Sequence, residues 1–495
     1  AGVILAIDQG TTNTKALLVA RTGEPVFRAS TPVALIHTPQ GFVEQDPQHL
    51  WESVLKVVGD CLVFAGEAGA GIEAVAISNQ RETAVAWDGT TGEPLANAIG
   101  WQCGRSAEIC MRLAAHDGTI RKKAGLPLAP LITAGKWAWL LKNDALIRDA
   151  AERGTLRLGT VDSWLVHRLT RGAVHATDFT NASRTGLLNL ESLAWDEELL
   201  AVFGIPCNAL PELQSSSGAF GVCAAAPGLE GVPILAAIGD SHGAMFGHGC
   251  YAAGTVKATY GTGSSLIALT ASLLPDSPTL ARTIAWSIGG NTQFALEGNI
   301  AMTGSAVEWV GRFLGLANPA TDAAALGATV GDAEGVYFVP AMAGLGAPYW
   351  DSDARGTIAG LGRSHTSAHL ARAAVEAIAY QVADVFFAME EAASAPFGEL
   401  HADGGATRNA ALMQFQADLL DRRVVRSANE ELSAVGAARL AGLALGWWGS
   451  VAEVEALPRN AETFSPIMEP QERDRLYRGW KAAVGRARLR EGAEA

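Results

Sequence analysis

A chain of 495 residues exceeds the ~250–300 residues at which single cores stop growing, so the sequence predicts two large domains. Hydrophobic residues make up 49% and charged residues 18%, which excludes a disordered chain, and the net charge of −14 argues against nucleic acid or an anionic membrane as partner. No apolar run approaches the ~20 residues of a membrane span and the N-terminus lacks a basic n-region, so the cytoplasm is the expected compartment; the six scattered cysteines, with no C-x-x-C pair, read as free thiols.

In chain order, residues 3–7 are apolar and run into Asp8, a Gly10-Thr11-Thr12 turn, Asn13 and Lys15, and a second apolar run over 16–20. The pattern predicts a β-hairpin whose turn offers backbone N–H groups and hydroxyls to an anion, phosphate first. Asp8 would then hold a hydrated Mg²⁺ against the phosphates, because two like charges need a cation between them. An ordinary hairpin with a Thr-rich turn fits the same residues. An amphipathic helix is expected from Pro47, with Leu50, Trp51, Val54, Leu55 and Val58 on its apolar face, followed by strands over 72–78 and 84–87. Between these strands lie Asn79-Gln80-Arg81-Glu82-Thr83, at the carboxyl end of an apolar strand where α/β sheets place ligands. Arg81 and Glu82 read either as donor and acceptor for sugar hydroxyls or as a surface ion pair. Trp101 reads as the aromatic face of a polyol pocket or as core. Residues 133–141 predict a helix with Trp137 and Trp139 packed inward, and 177–185 a polar loop that lines the cleft or satisfies turn backbone.

The strand predicted over 233–239 delivers Asp240 to its carboxyl end between Gly239 and Gly243. An acid so placed is a candidate general base for a substrate hydroxyl, with helix capping as the alternative. His242 and His248, six apart, match no zinc spacing and read as structural or supporting groups. Residues 255–267 repeat the opening device, a β-rich run, a Gly261-Thr262-Gly263 turn and another apolar run. This repetition predicts an internally duplicated α/β architecture in which each half gives one phosphate hairpin to a shared cleft. A third strand, 400–403, enters Gly404-Gly405 ahead of a helix over 410–420; the glycines allow close approach of adenine or ribose, and Asn409 caps the helix or binds the nucleotide. The helix over 434–445 is rich in small residues, which permit close packing. Gly247, Gly249 and Gly254 are candidate hinges and place the domain boundary between 248 and 249, with the polyol or sugar on residues 1–248 and the nucleotide on 249–495.

Asp8-Gln9-Gly10-Thr11-Thr12, residues 78–83, 97–102 and 177–185, Gly239-Asp240, Tyr260-Gly261-Thr262-Gly263, residues 347–350 and 353–357, and Asp403-Gly404-Gly405-Ala406 follow one another over nearly the whole chain. In that order they resemble the FGGY carbohydrate kinases, and most of all the branch that phosphorylates glycerol. The resemblance implies a duplicated actin-like, ribonuclease-H-like ATPase fold with a cleft between two domains. It further implies ATP with Mg²⁺ and phosphorylation of a terminal hydroxyl of a small polyol or sugar. By position it gives Arg81, Glu82, Trp101 and Asp240 to the acceptor, with Asp240 as base, and sets Thr11, Thr12, Asn13, Thr262, Gly304, Gly405 and Asn409 along the ATP, with Asp8 on the metal side. Lys15 stands where that branch carries Arg and neutralises phosphate as a point charge, without the planar fork. Leu131, Ser241 and Ser265 stand where its acceptor pocket has Tyr, Gln and Phe. The pocket is therefore expected to be roomier and differently polar, which favours a longer polyol or a ketose; a kinase of erythritol, xylulose or a similar four- or five-carbon acceptor is the alternative. Gly231 replaces the Arg of the family's sugar-bisphosphate loop, so no such inhibition is expected. Family members often form dimers or tetramers. An actin-like ATPase without a sugar substrate is the remote alternative, and the grouping of Arg81, Glu82, Trp101 and Asp240 argues against it.

Overall fold

The computed structural model describes residues 2–490. Its first strand, β1 (Gly2–Gln9), alternates with period two between two buried faces: Val3, Leu5 and Ile7 enter one core, Ile4 and Ala6 another. It forms the predicted hairpin with β2 (Asn13–Ala20), and β3 (Pro25–Pro32) follows antiparallel to β2. Asp46 caps α1 (Pro47–Glu67) by accepting from Gln48 N at 2.9 Å, and Pro47 supplies the first helical residue. The inner face of α1 is as predicted except that Val57, not Leu55, is fully buried. β4 (Gly71–Asn79) lies parallel to β1. An inserted layer follows with its own core of Ile99, Trp137, Leu158 and Leu199, and contains α2 (Thr133–Asn143). β5 (Ile234–Gly239) returns parallel to β4 and completes the order β5-β4-β1-β2-β3.

After β5 the chain passes through α3 (Asp240–His248) into a second set of strands: β6 (Val256–Tyr260), β7 (Ser264–Thr270), β8 (Ala281–Ile288) and β9 (Asn291–Ile300). Next come α4 (Gly304–Phe313), α5 (Ser367–Ala393), β10 (Leu400–Asp403), α6 (Ala410–Leu420), β11 (Val424–Ser427), α7 (Leu432–Leu445) and β12 (Ala461–Phe464). The second sheet runs β8-β9-β7-β6-β10-β11-β12. Its inner five strands, β11-β10-β6-β7-β9, repeat the first sheet strand for strand, including the antiparallel hairpin followed by two parallel neighbours. The duplication read from two Gly-Thr turns is thus carried by the whole strand order.

The two sheets share a core. Ile4 and Ala6 of β1, Ile267 and Leu269 of β7, Met245 and Phe246 of α3 and Leu440 of α7 belong to one buried cluster. α7 packs against α3 and against β1, β4 and β5, although it comes from the far end of the chain. Small residues make this possible. A Cβ on Gly436 would lie 1.8 Å from the Gly243 carbonyl, and one on Gly247 2.4 Å from the Leu432 carbonyl. Gly247 is therefore a packing glycine inside α3 and not a hinge. Gly249 and Gly254, with φ of 84° and 88°, are the positions that need backbone freedom. The segment 177–185 also departs from expectation, since residues 179–182 form a helical turn capped by Asp178. No helix among the described residues is long and apolar enough to cross a membrane.

Candidate active site

Parallel pairing brings the carboxyl ends of β1, β4 and β5 together, with Asp8 opposite Ser78 and Asn79 opposite Gly239. Ser78 Oγ donates to Asp8 Oδ1 at 3.1 Å. Asp240 is the first residue of α3 and Gly239 occupies the cap position, so the capping alternative for Asp240 fails. Its Oδ1 accepts from Ser241 N at 2.7 Å and lies 4.0 Å from Arg81 Nε. Burial raises the Asp240 pKa, with Arg81 and the Ser241 N–H opposing. Burial and then the Asp240 charge push Asp8 up to about 7, with Lys15 opposing. A buried carboxylate raised further by a neighbouring one fits a hard divalent cation, which would relieve it. Among the described residues no group of three His, Cys, Asp or Glu side chains could hold a metal alone. A Mg²⁺ beside Asp8 would take its other ligands from water and phosphate oxygens.

Glu82 is buried and Arg81 mostly so, and they form no surface pair. Arg81 Nη1 and Nη2 grip the two oxygens of Glu297, on β9, at 2.9 and 2.8 Å. Arg184 Nε donates to Glu82 Oε1 at 2.8 Å, and its Nη1 lies 3.0 Å from Glu297 Oε2. His242 Nε2 sits 3.1 Å from Arg81 Nη1. Despite complete burial, Arg184 and Arg81 hold the Glu297 carboxyl far below the usual carboxylate range. Burial and Arg81 keep His242 neutral. Glu82 adopts a left-handed φ of 63°, and Thr133 Oγ1 fixes its carbonyl at 3.1 Å. Sequence reasoning missed Arg184 and Glu297 as site groups. A signal existed, because Glu297 is a single acid following Phe294-Ala295-Leu296 in an apolar strand. The rest of 177–185 supports the cluster from below: Asn181 and Asn79 exchange amide hydrogen bonds, and Asp178 accepts from Thr180 and Ser216.

Trp101 is 39% exposed and donates Nε1–H to Thr11 Oγ1 at 2.9 Å, which rules out the core reading and ties the acceptor side to the first hairpin. Leu131 is held in place by the buried Lys136, whose Nζ donates to the carbonyls of Leu131 (2.6 Å) and Pro130 (2.7 Å). Burial lowers Lys136 to about 8. Ser265 on β7 stands opposite Asn299 on β9, two residues from Glu297 and on the same face.

A cleft of about 650 Å³ brings Lys15 from the first hairpin together with Asp403, Gly404, Gly405 and Thr407 from the second half, and with Ser433. Lys15 lies beside Asp8 across the β1–β2 ladder, and its Nζ is 3.2 Å from Glu431 Oε2. The second hairpin turn packs against two other glycines. A Cβ on Gly304 would sit 2.5 Å from the Gly261 carbonyl, and one on Gly404 2.4 Å from the Tyr260 carbonyl. Thr303 N and Ser305 N both donate to Thr262 O at 3.0 Å, so that carbonyl is committed to the start of α4. The Thr12 and Thr262 side chains are exposed at their hairpin tips. Asn13 Nδ2 donates to Thr12 Oγ1 at 3.2 Å. Asn409 caps α6, accepting from Leu412 N at 3.1 Å, and lines a separate recess beside Arg372.

Comparison with known proteins agrees with this geometry. Residues 3–247 match the N-terminal domain and residues 256–445 the C-terminal domain of the FGGY family of carbohydrate kinases. The glycerol kinases of Symbiobacterium thermophilum and Burkholderia multivorans are 45% and 44% identical to the chain, over 98% of it and 98% of their own lengths. Among solved structures, Plasmodium falciparum glycerol kinase with ADP aligns with a TM-score of 0.94 and 31% identity over 99% of both chains. The xylulose kinase of Rhodospirillum rubrum aligns with a TM-score of 0.86 and 27% identity over 98% of both. With two matched domains, a duplicated sheet and an acid at the carboxyl end of β5, the chain belongs to the FGGY family of carbohydrate kinases.

Proposed function

We propose that the protein transfers the γ-phosphoryl group of ATP to a terminal hydroxyl of glycerol or a closely similar small polyol. The observation that carries this reading is the Asp240 carboxylate, set 4.0 Å from Arg81 at the edge of the Arg81–Glu297–Arg184–Glu82 cluster and close enough to Asp8 to raise its pKa. Residues 1–248 form the acceptor half and 249–495 the nucleotide half. Asp240 takes the proton of the acceptor hydroxyl as its oxygen bonds to the γ-phosphorus and the bond from that phosphorus to the β,γ-bridging oxygen breaks, releasing ADP. The raised pKa suits the carboxylate to this task, since a stronger base accepts the proton more readily. Arg81, gripped by Glu297, has a fixed direction and so donates to an acceptor hydroxyl without reorganising, and Trp101 covers the carbon side of the acceptor. Asp8 would hold a Mg²⁺, which when bound would supply charge that neutralises the phosphates. Lys15, Thr11, Thr12, Asn13, Thr262, Gly304, Gly405 and Asn409 lie along the nucleotide in this reading, and closure of the halves keeps water from the γ-phosphoryl group.

Asp240→Asn tests the base. In a coupled ADP-release assay with glycerol, kcat is expected to fall on the order of 10²–10⁴-fold with the fold intact. Unchanged turnover would remove Asp240 from the mechanism. ADP release that does not depend on any acceptor would favour the actin-like ATPase reading. A second acceptor class has an observation in its favour: Leu131, Ser241 and Ser265 present no bulky polar side chain to the pocket, which suits four- and five-carbon polyols and ketoses. A panel with erythritol and xylulose beside glycerol ranks them.

A further inference from the structure

Leu131 also lines a cavity of about 810 Å³, whose wall includes Arg184 and Glu297 of the ion cluster and otherwise residues such as Met111, Leu128, Ile132, Leu280 and Trp350. That volume is on the scale of a drug-sized ligand. Most polar groups in its wall are already engaged. Asp117 Oδ1 accepts from Leu128 N at 2.8 Å, Arg121 donates to the Ser277 carbonyl and pairs with Asp276, Thr279 Oγ1 shares a hydrogen bond with Ser277 Oγ, and Arg184 and Glu297 pair their charges. In that wall the Asn299 side chain has no hydrogen bond among the described residues, and Arg184 Nη1, although 3.0 Å from Glu297 Oε2, makes none of good geometry. A sugar needs a partner for each hydroxyl it buries, so a second sugar ring would be poorly served here. An apolar group would not. Trp350 is 53% exposed at a left-handed φ of 48°, and its Nε1–H is fixed to the Thr279 carbonyl at 2.7 Å, which makes it a preset aromatic wall with its face uncovered. The polar end of the space is also defined. Glu297 connects this wall to Arg81 and so to Asp240, and Ser265 stands beside Asn299, its hydroxyl without a partner among the described residues.

We propose that this cavity is a tail subsite that takes alkyl or aryl ethers of a small polyol: the free primary hydroxyl reaches Asp240, and the apolar substituent lies between Leu128, Leu280 and Trp350. The inference rests on the acceptor reading of Asp240 and uses the same phosphoryl transfer. Its test is a length series on the wild-type protein, with kcat/KM measured for glycerol and its 1-O-ethyl, 1-O-butyl and 1-O-hexyl ethers by coupled ADP release. The expected result is a rise of roughly threefold per added methylene, as burial of that surface predicts. Ala129→Trp, which fills the cavity, should lower the hexyl-to-glycerol ratio at least tenfold, and Trp350→Ala should lower it in the same direction. Transfer to glycerol with a flat or falling length series overturns the subsite alone. An unchanged ratio in both folded variants overturns it too. No transfer to any acceptor, glycerol included, removes the acceptor reading and the subsite together.

Discussion

At the scale of single residues, Glu297 organises the site more than any group read from the sequence. It comes from the second half of the chain, is completely buried, and is the common counter-ion of Arg81 and Arg184, which both come from the first. Removing one partner of a buried pair leaves an uncompensated charge, which costs about 3–5 kcal/mol. Glu297→Gln keeps the shape and one acceptor oxygen but removes the counter-charge that Arg81 and Arg184 share, leaving Glu82 to Arg184. Urea unfolding of that variant should show a loss of this size, and its acceptor KM should rise because Arg81 has lost its bidentate grip. Arg184 and Glu297 were not legible beforehand for a plain reason: Glu82, Arg184 and Glu297 are each about a hundred residues apart, and no local pattern records which distant charges share a pocket. Asp240 and Asp8 were legible because each ends an apolar strand, and the strand itself aims the side chain.

At the scale of elements, the hairpins, the Gly404-Gly405 turn and the helix it precedes appear where apolar runs and turn residues put them. The helical turn at 179–182 did not, because Thr and Asn are weak helix formers and the turn is held by the Asp178 cap and by the hydrogen bonds that tie Asp178 to Ser216 and Asn181 to Asn79. The contact between α3 and α7 shows what composition alone leaves open. Small residues in α7 signalled close packing but not its partner, and the partner turned out to be the helix that begins with Asp240. Here Gly436→Ala is the informative change. Its Cβ would meet the Gly243 carbonyl at 1.8 Å, so the helices must separate, and the displacement passes along α3 to its first residue. Overpacking of this kind costs typically 1–3 kcal/mol. The variant should therefore lose thermal stability and, through the moved Asp240, acceptor turnover as well. Retained turnover in a destabilised variant would show that α3 does not transmit the shift.

At the scale of the whole molecule, the first half contains an acid-sensitive group. His167 and His175 pack against Trp87 at ring-centroid distances of 5.3 and 5.2 Å, and burial lowers both to about 4. Because the folded pKa lies below the unfolded value of about 6.5, the stability that each neutral ring preserves is present above 6.5 and is lost as pH falls from there towards 4. The full effect is on the order of 3 kcal/mol per ring. Asp162, Asp8 and Glu376, each raised to about 7 with burial as the largest cause, work in the opposite direction over the same range, so the wild-type slope is a difference between these acids and the histidines. The histidine part is isolated by comparison: His167→Gln should flatten the pH dependence of urea unfolding between pH 6.5 and 4.5, followed by fluorescence of the neighbouring tryptophans. An unaltered slope would show that His167 is protonated as readily in the folded protein as in the unfolded chain.

The late helix α7, which lies on β1, β4 and β5, has a consequence during synthesis. Translation completes the first sheet with β5 at residue 239, yet the helix that covers one of its faces is finished only at residue 445. At ribosomal speeds of roughly 5–20 residues per second, the nascent sheet waits on the order of ten to forty seconds with that apolar face bare. Over this interval a chaperone has a defined surface to hold, and a chain stopped short of α7 would present the same surface to its neighbours.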